Sequence, residues 1–184
     1  MFPILFLCSM LFQSGSQATA KPAIDNDRVT VWDVSDSVTA LPFDAVVISF
    51  SGSATFVPKG TLPKTPGRSI VIDLKDHPVP PLANTSGYPL AFPRPGSKKL
   101  LENERVIVWD FAWTPDVPTP MHFHDKDVVV TYLEDGALRS TEPSSQSVVN
   151  PHYFGFTKFN AGDRSHTEEL TRGKGRAIIV ELKR

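Results

Sequence analysis

Beyond Ala20, no stretch of this chain runs far enough between prolines, glycines and clusters of Asp or Ser to sustain a long amphipathic helix. Short runs rich in Val, Ile, Phe and Trp alternate with that punctuation instead. The clearest are Val29 to Val34, Ala45 to Phe50, Ser69 to Leu74, Arg105 to Trp113, Val128 to Leu133, Tyr153 to Phe159 and Arg176 to Leu182. Runs of this length, bounded by turn residues, read as strands. Their number and spacing predict an all-β sandwich or barrel, with helix confined to a single turn around Lys98 to Glu102.

The strand runs are not independent of one another. "NDRVTVWDVS", Asn26 to Ser35, is echoed by "NERVIVWDFA", Asn103 to Ala112, and each copy leads into a further apolar strand and a glycine-containing turn. The order of elements repeats along with the motif, which predicts two related β units. They differ where chemistry is concerned, because the second unit carries His122 and His124 and the first has no histidine at the corresponding place. Between the units lies "HPVPPLANTSGYPLAFPRPG", whose prolines fix φ and remove donors, so it cannot be an interior strand. Its apolar members Leu82, Tyr88, Leu90 and Phe92 predict a strap that packs onto the surface. The expected organisation is residues 1–20, 21–76, 77–99 for the strap and 100–184.

Residues 1–20 read unlike the rest: an apolar stretch from Phe2 to Phe12, a polar passage, then Ala18-Thr19-Ala20. That pattern predicts a secretory signal cleaved after Ala20, although no Lys or Arg precedes the apolar run. The run is too short to span a bilayer, so no stable membrane anchor is expected. A secreted or periplasmic location follows. The single cysteine, Cys8, lies inside this segment, and the mature chain would have no thiol, disulfide or cysteine-bound zinc. A formal net charge of -1 also argues against nucleic acid as a partner, since that surface calls for clustered basic charge.

The stretch "PTPMHFHDKDVVVTYLEDG" holds the residues best suited to bind a metal. In an extended chain, side chains alternate with period two, so His122 and His124 project to one face. His166, in "FNAGDRSHTEEL" just before the final β run, offers a third imidazole. Three neutral imidazoles with open positions suit zinc, iron(II), manganese, nickel or copper(II) and disfavour oxygen-seeking calcium.

These residues resemble the two motifs of the cupin superfamily. His122, His124 and Gly136 match the first motif, and Ala161-Gly162 followed by His166 resembles the second. The resemblance implies a cupin double-stranded β-helix barrel of the jelly-roll type over about residues 102–184. It implies a degenerate cupin-like unit, without ligands, for the N-terminal half packed against it. The departures are specific: Asp116 replaces a glycine, Asn160 replaces a proline, His166 comes one residue late, and the family's glutamate ligand falls on Val128 or Val129. Asp127 is the nearest carboxylate, and a bulge could turn it inward as a fourth ligand. Its other reading is a solvated turn in "HDKD".

Other residues carry two readings each. Glu168 and Glu169 could support a ligand or hold a proton near the pocket, but burial preferences favour exposed charges in a hairpin. His77 and His152, beside prolines, read as surface loops. Trp109 and Trp113 share a face and read as core, and either Thr131 or Tyr132 faces the interior. Arg164 could attract a substrate carboxylate or pair with Asp163 or Asp127.

Cupins host isomerases, dioxygenases, storage proteins and sensors alike, and some carry no functional metal. Two functions therefore stand: a metal-dependent enzyme acting on a small carbonyl- or carboxylate-bearing molecule, and a non-catalytic module that binds or senses a small molecule. A homodimer through edge strands is compatible with either.

Overall fold

The computed structural model describes residues 21–35, 41–65, 67–77, 79 and 82–183, and the expected signal segment 1–20 lies outside them. All regular structure is β. The N-terminal half supplies β1 (Ile24–Asp25), β2 (Val29–Val34), β3 (Asp44–Ser49), β4 (Ala54–Val57) and β5 (Ser69–Leu74). They form one antiparallel sheet in the order β1-β2-β5-β3-β4. The C-terminal half supplies β6 (Ser97–Glu102), β7 (Val106–Ala112), β8 (His122–His124), β9 (Asp127–Tyr132), β10 (Gly136–Thr141), β11 (Ser147–His152), β12 (Thr157–Asn160), β13 (Arg164–Gly173) and β14 (Arg176–Leu182).

From β7 to β14 the chain winds between two sheets, β12-β9-β14-β7-β6 and β11-β10-β13-β8. That winding is a double-stranded β-helix, the jelly-roll architecture expected from the sequence. The interior between the sheets is filled by Trp109, Phe111, Trp113, Val130, Tyr132, Leu138, Leu170 and Ile179, all buried.

The N-terminal sheet repeats the order of its neighbour strand for strand: β1-β2-β5-β3-β4 corresponds to β6-β7-β14-β9-β12. Side chains repeat with it. Asn26 Oδ1 accepts from the backbone N–H groups of Arg28 and Val29, both at 2.9 Å, and Asn103 Oδ1 accepts from Arg105 and Val106 at 2.8 and 3.0 Å. Both asparagines thus close the turn that starts a strand. Trp32 Nε1 donates to Asp73 and Trp109 Nε1 to Glu181, at 3.2 and 2.7 Å. Asp33 receives a two-pronged contact from Arg68, as Asp110 does from Arg176. Lys75 binds Asp25 and the Asn26 carbonyl, and Lys183 binds Glu102 and the Asn103 carbonyl.

The two like sheets pack face to face. Val29, Val31, Val46, Ile48, Ile70, Ile72 and Leu74 meet Val106, Val108, Val129, Ile178, Val180 and Leu182 in one buried cluster. Contacts across it are reciprocal: Arg28 pairs with Asp127 at 3.3 Å, and Arg105 pairs with Asp44 at 3.4 Å. Arg176 lies against Gly52 and Arg68 against Gly155, where a side chain would collide with the guanidinium and where φ is +93° and +85°.

What the first half lacks, among the described residues, is any counterpart of β8, β10, β11 and β13. Half a barrel has no wall on which histidines could stand. Lys98 to Glu102, expected as a helical turn, lie instead in the edge strand β6, because pairing with β7 satisfies their backbone groups. His152 is buried, not a surface loop residue: its ring stacks on Tyr132 at 4.1 Å and Nε2 donates to the Lys174 carbonyl at 3.2 Å.

Because one apolar cluster joins both halves, the chain should unfold in a single transition. Ile72→Ala and Ile178→Ala should each lower stability by about 3 kcal/mol, in urea titrations followed by tryptophan fluorescence. A biphasic curve in which only one half responds would show that the halves fold independently.

Candidate metal centre

Two strands, β8 and β13, and the strap converge at one place in the barrel. β13 pairs with β8 so that His166 lies opposite His122 and Arg164 opposite His124. Period two does the rest, sending His122 and His124 inward from β8, and Arg164, His166 and Glu168 inward as one row from β13. The three imidazoles are buried, with ring centroids 5.1, 4.8 and 5.0 Å apart, close to an equilateral triangle. One ligand nitrogen from each lies within 4.8 Å of the others.

The hydrogen bonds set which nitrogen faces inward. His122 Nδ1 donates to the Pro120 carbonyl at 2.8 Å, which leaves Nε2 as the lone-pair atom, and that atom accepts from Arg94 Nη1 at 2.7 Å, so an ion bound there would have to displace the guanidinium. Both nitrogens of His124 and Nε2 of His166 are buried with no hydrogen-bond partner. Leaving such atoms unpaired costs free energy, and coordination of one ion by the lone pairs of His124 and His166 would remove part of that cost, the His124 N–H staying unpaired. The donor set therefore fits a transition metal.

Burial holds all three rings neutral. It is the main force lowering His122 to about 4, with the Arg94 charge adding to it, and it is also the main force lowering His166 to about 4. His124 is pushed further down by burial, then by Arg164. Imidazoles that stay unprotonated at neutral pH keep their lone pairs available to a cation.

The carboxylate at this site is Glu168, not Asp127. Asp127 is held by Arg28 and accepts from the Gly162 backbone N–H at 2.8 Å, on the side of β9 that meets the N-terminal half. The reciprocal ion pair between the two sheets has claimed it, and the structure does not bring it to the histidines. Glu168 Oε1 stands 3.7 Å from His166 Nε2, and Oε2 accepts from Arg94 at 3.0 Å and Trp113 Nε1 at 3.1 Å. Burial opposes its charge, but nearby cations, Arg94 first and Lys158 with it, outweigh that and hold it at about 2. Glu169, by contrast, turns outward to Arg139.

Arg94 comes from the strap. Residues 89–91 run beside β8, with Phe123 N–H donating to the Pro89 carbonyl and Ala91 N–H to the Phe123 carbonyl, both at 2.8 Å. The strap then turns through Ser97, whose hydroxyl caps Arg94 N at 3.0 Å. The guanidinium lies over the rings of Phe92 and Phe111 at 4.8 and 4.1 Å, and Nη1 sits 2.7 Å from His122 Nε2. Glu168 could have been found in the sequence from its two-residue spacing after His166. Arg94 could not, since nothing local says which side of the strap faces the barrel.

The space beside the histidines is a cavity of about 130 Å³. Trp113, Val128, Val130, Leu138 and Ile179 make its apolar part, and Tyr132, Lys158 and Arg164 are among its polar lining.

No family model matches this sequence, and no curated protein matches it. Among solved structures, the chain is similar to a cupin domain from Bordetella pertussis, at 25% identity over 51% of this chain and 100% of that one, with a TM-score of 0.45. It is also similar to a cupin 2 conserved barrel domain protein from Leptotrichia buccalis, at 12% identity over 90% of this chain and 92% of the other, TM-score 0.46. A third is an RmlC-like cupin family protein with a double-stranded β-helix fold from Methanocaldococcus jannaschii, at 12% identity, 47% and 77% coverage and TM-score 0.38.

Purified protein dialysed against zinc, manganese or nickel should retain about one ion per chain by elemental analysis. At a hundredfold excess over Kd, that ion should add about 3 kcal/mol of stability. The His122→Ala, His124→Ala double variant should retain none and gain none. Equal, low metal in both proteins would show that the triad does not bind these ions.

Proposed function

Given a cupin barrel with three buried imidazoles on one wall, we propose that this protein is an exported, metal-dependent enzyme acting on a small carbonyl- or carboxylate-bearing molecule. The observation that carries the reading is the convergence of three buried imidazoles, two of them with unpartnered nitrogens and lining a cavity, beside the Glu168 carboxylate. His122, His124 and His166 would hold the ion, which as a Lewis acid would polarise a substrate oxygen or, if redox-active, engage dioxygen.

The chain's own residues divide the remaining work. Glu168, fixed by Arg94 and Trp113, is an ionised carboxylate within reach of the cavity and can accept a proton from bound substrate. Arg94 keeps it charged. Trp113 and Tyr132, stacked at 6.1 Å, and the aliphatic wall exclude water from one side of the cavity. The pre-set tautomer of His122 keeps the site organised before substrate arrives.

One observation favours a non-catalytic binding module instead: Glu168 is engaged by Arg94 and stands beside the triad, not within it. The two readings separate on proton exchange. With metal-loaded protein in D2O, small 2-oxo acids should gain deuterium next to the carbonyl, and Glu168→Gln should slow that exchange by about a hundredfold while metal content stays at the wild-type level. Oxygen consumption with the same compounds would identify the dioxygenase branch. Neither exchange, isomerisation nor oxygen uptake with any compound that binds would favour the module.

A further inference from the structure

Ion pairing in this protein leaves a specific remainder. Among the described residues, every lysine or arginine that is not exposed has a carboxylate partner, with two exceptions, Lys158 and Arg164. Both line the cavity beside the histidines. Lys158 projects from β12, and its ammonium makes no hydrogen bond among the described residues; the Tyr132 ring lies 5.7 Å away. Arg164 projects from β13 and spends only Nε, on the Ala161 carbonyl at 2.8 Å. Its two terminal nitrogens have no partner among the described residues.

Glu168, the one carboxylate in the cavity lining, acts on both at longer range but cannot neutralise both, because its ion pair is with Arg94. The lining therefore carries three cations, Arg94, Lys158 and Arg164, against one carboxylate, an excess of two positive charges in a protein whose formal net charge is -1. Partly buried charges without counter-ions are costly, and natural chains rarely keep them without use. Ser140, Asn150 and Asn160 line the same cavity and add uncharged hydrogen-bonding groups.

We propose that Lys158 and Arg164 form an anion subsite that holds the carboxylate of a short, otherwise uncharged organic acid, with the rest of the molecule directed along the apolar wall toward the histidines. The free edge of Arg164 matches the two oxygens of a carboxylate, and Lys158 supplies a point charge to the same group. The volume limits the buried part of the ligand, since about 130 Å³ is close to a protein cavity that accepts a molecule the size of benzene, at about 150 Å³. This inference deepens the proposed function by fixing the class of substrate, but it rests on the cavity's charges and not on a bound ion.

The test is calorimetric titration of the mature protein with propanoate, butanoate and pyruvate, each set against its uncharged primary amide. The proteins are wild type, Lys158→Met, Arg164→Gln and the charge-keeping Lys158→Arg, both metal-loaded and after chelation. At least one acid should bind wild type at or below about 1 mM and its amide at least tenfold more weakly. Lys158→Met and Arg164→Gln should each weaken the acid by tenfold or more without weakening the amide, and Lys158→Arg should recover most of the loss. Thermal melting of each variant at or near the wild-type Tm shows that the loss is not unfolding. Persistence of the pattern after chelation would uphold the subsite even if the metal reading fails. No saturable acid binding up to about 10 mM, equal affinity for acid and amide, or acid binding unchanged in both charge-removing variants would each overturn it. Equal competition by chloride would show an adventitious ion only and overturn it as well.

Discussion

Everything in this molecule hangs on one apolar contact, the outer face of the β6-β7-β14-β9-β12 sheet against its N-terminal likeness. A sheet of an isolated barrel can leave its outer face to water and alternate polar with apolar residues. Here the central strands are covered on both sides, and their sequences, "VIVWDF", "DVVVTY" and "RAIIVEL", are correspondingly near-continuous in apolar character. The wall that carries Trp109, Val130, Tyr132 and Ile179 into the barrel is thereby fixed from behind. The opposite sheet, which carries the histidines, keeps a solvent face and a more polar sequence.

Duplication without a second site follows from the same geometry. The N-terminal half reproduces one sheet down to its ion pairs but, among the described residues, lacks the strands that would close over its inner face. Its value is the surface it presents to its counterpart. The reciprocal pairs Arg28–Asp127 and Arg105–Asp44 set the register of that contact, as identical patches do across a two-fold interface. This explains why Asp127 does not reach the histidines. Its equivalent, Asp44, belongs to a half that has no histidine cluster among the described residues, so the carboxylate is common to both copies for packing.

How much could be read in advance depended on which face water takes. Strands covered on both sides stood out as β-branched runs, and Val29–Val34, Ser69–Leu74 and Arg176–Leu182 were legible to the residue. The strands β10, β11 and β13, "GALRST", "SVVNPH" and "RSHTEELTRG", face solvent on one side and read as loops by composition. The histidine triad was legible because period two needs only an extended chain, whereas the partner of each charge was not. Glu168 looked like a solvated hairpin residue until Arg94 arrived from a strap that lies more than seventy residues earlier in the chain. His152 looked like a loop because Pro151 precedes it; Pro151 sits on β11, an edge strand whose outer side has no neighbour to require its missing donor.

The electrostatics of the barrel are best understood as a sum over paired and unpaired charge. Around the imidazoles the Arg94 and Arg164 charges add to burial in keeping the rings neutral, and Glu168 opposes them. The lining as a whole is net positive, with Arg94, Lys158 and Arg164 against Glu168, and that field repels any divalent ion. An anion seated on Lys158 and Arg164 would remove the repulsion, so anion and ion would each favour the other's binding by the same factor. The ligand's own charge would thus complete the electrostatic balance that the chain leaves open.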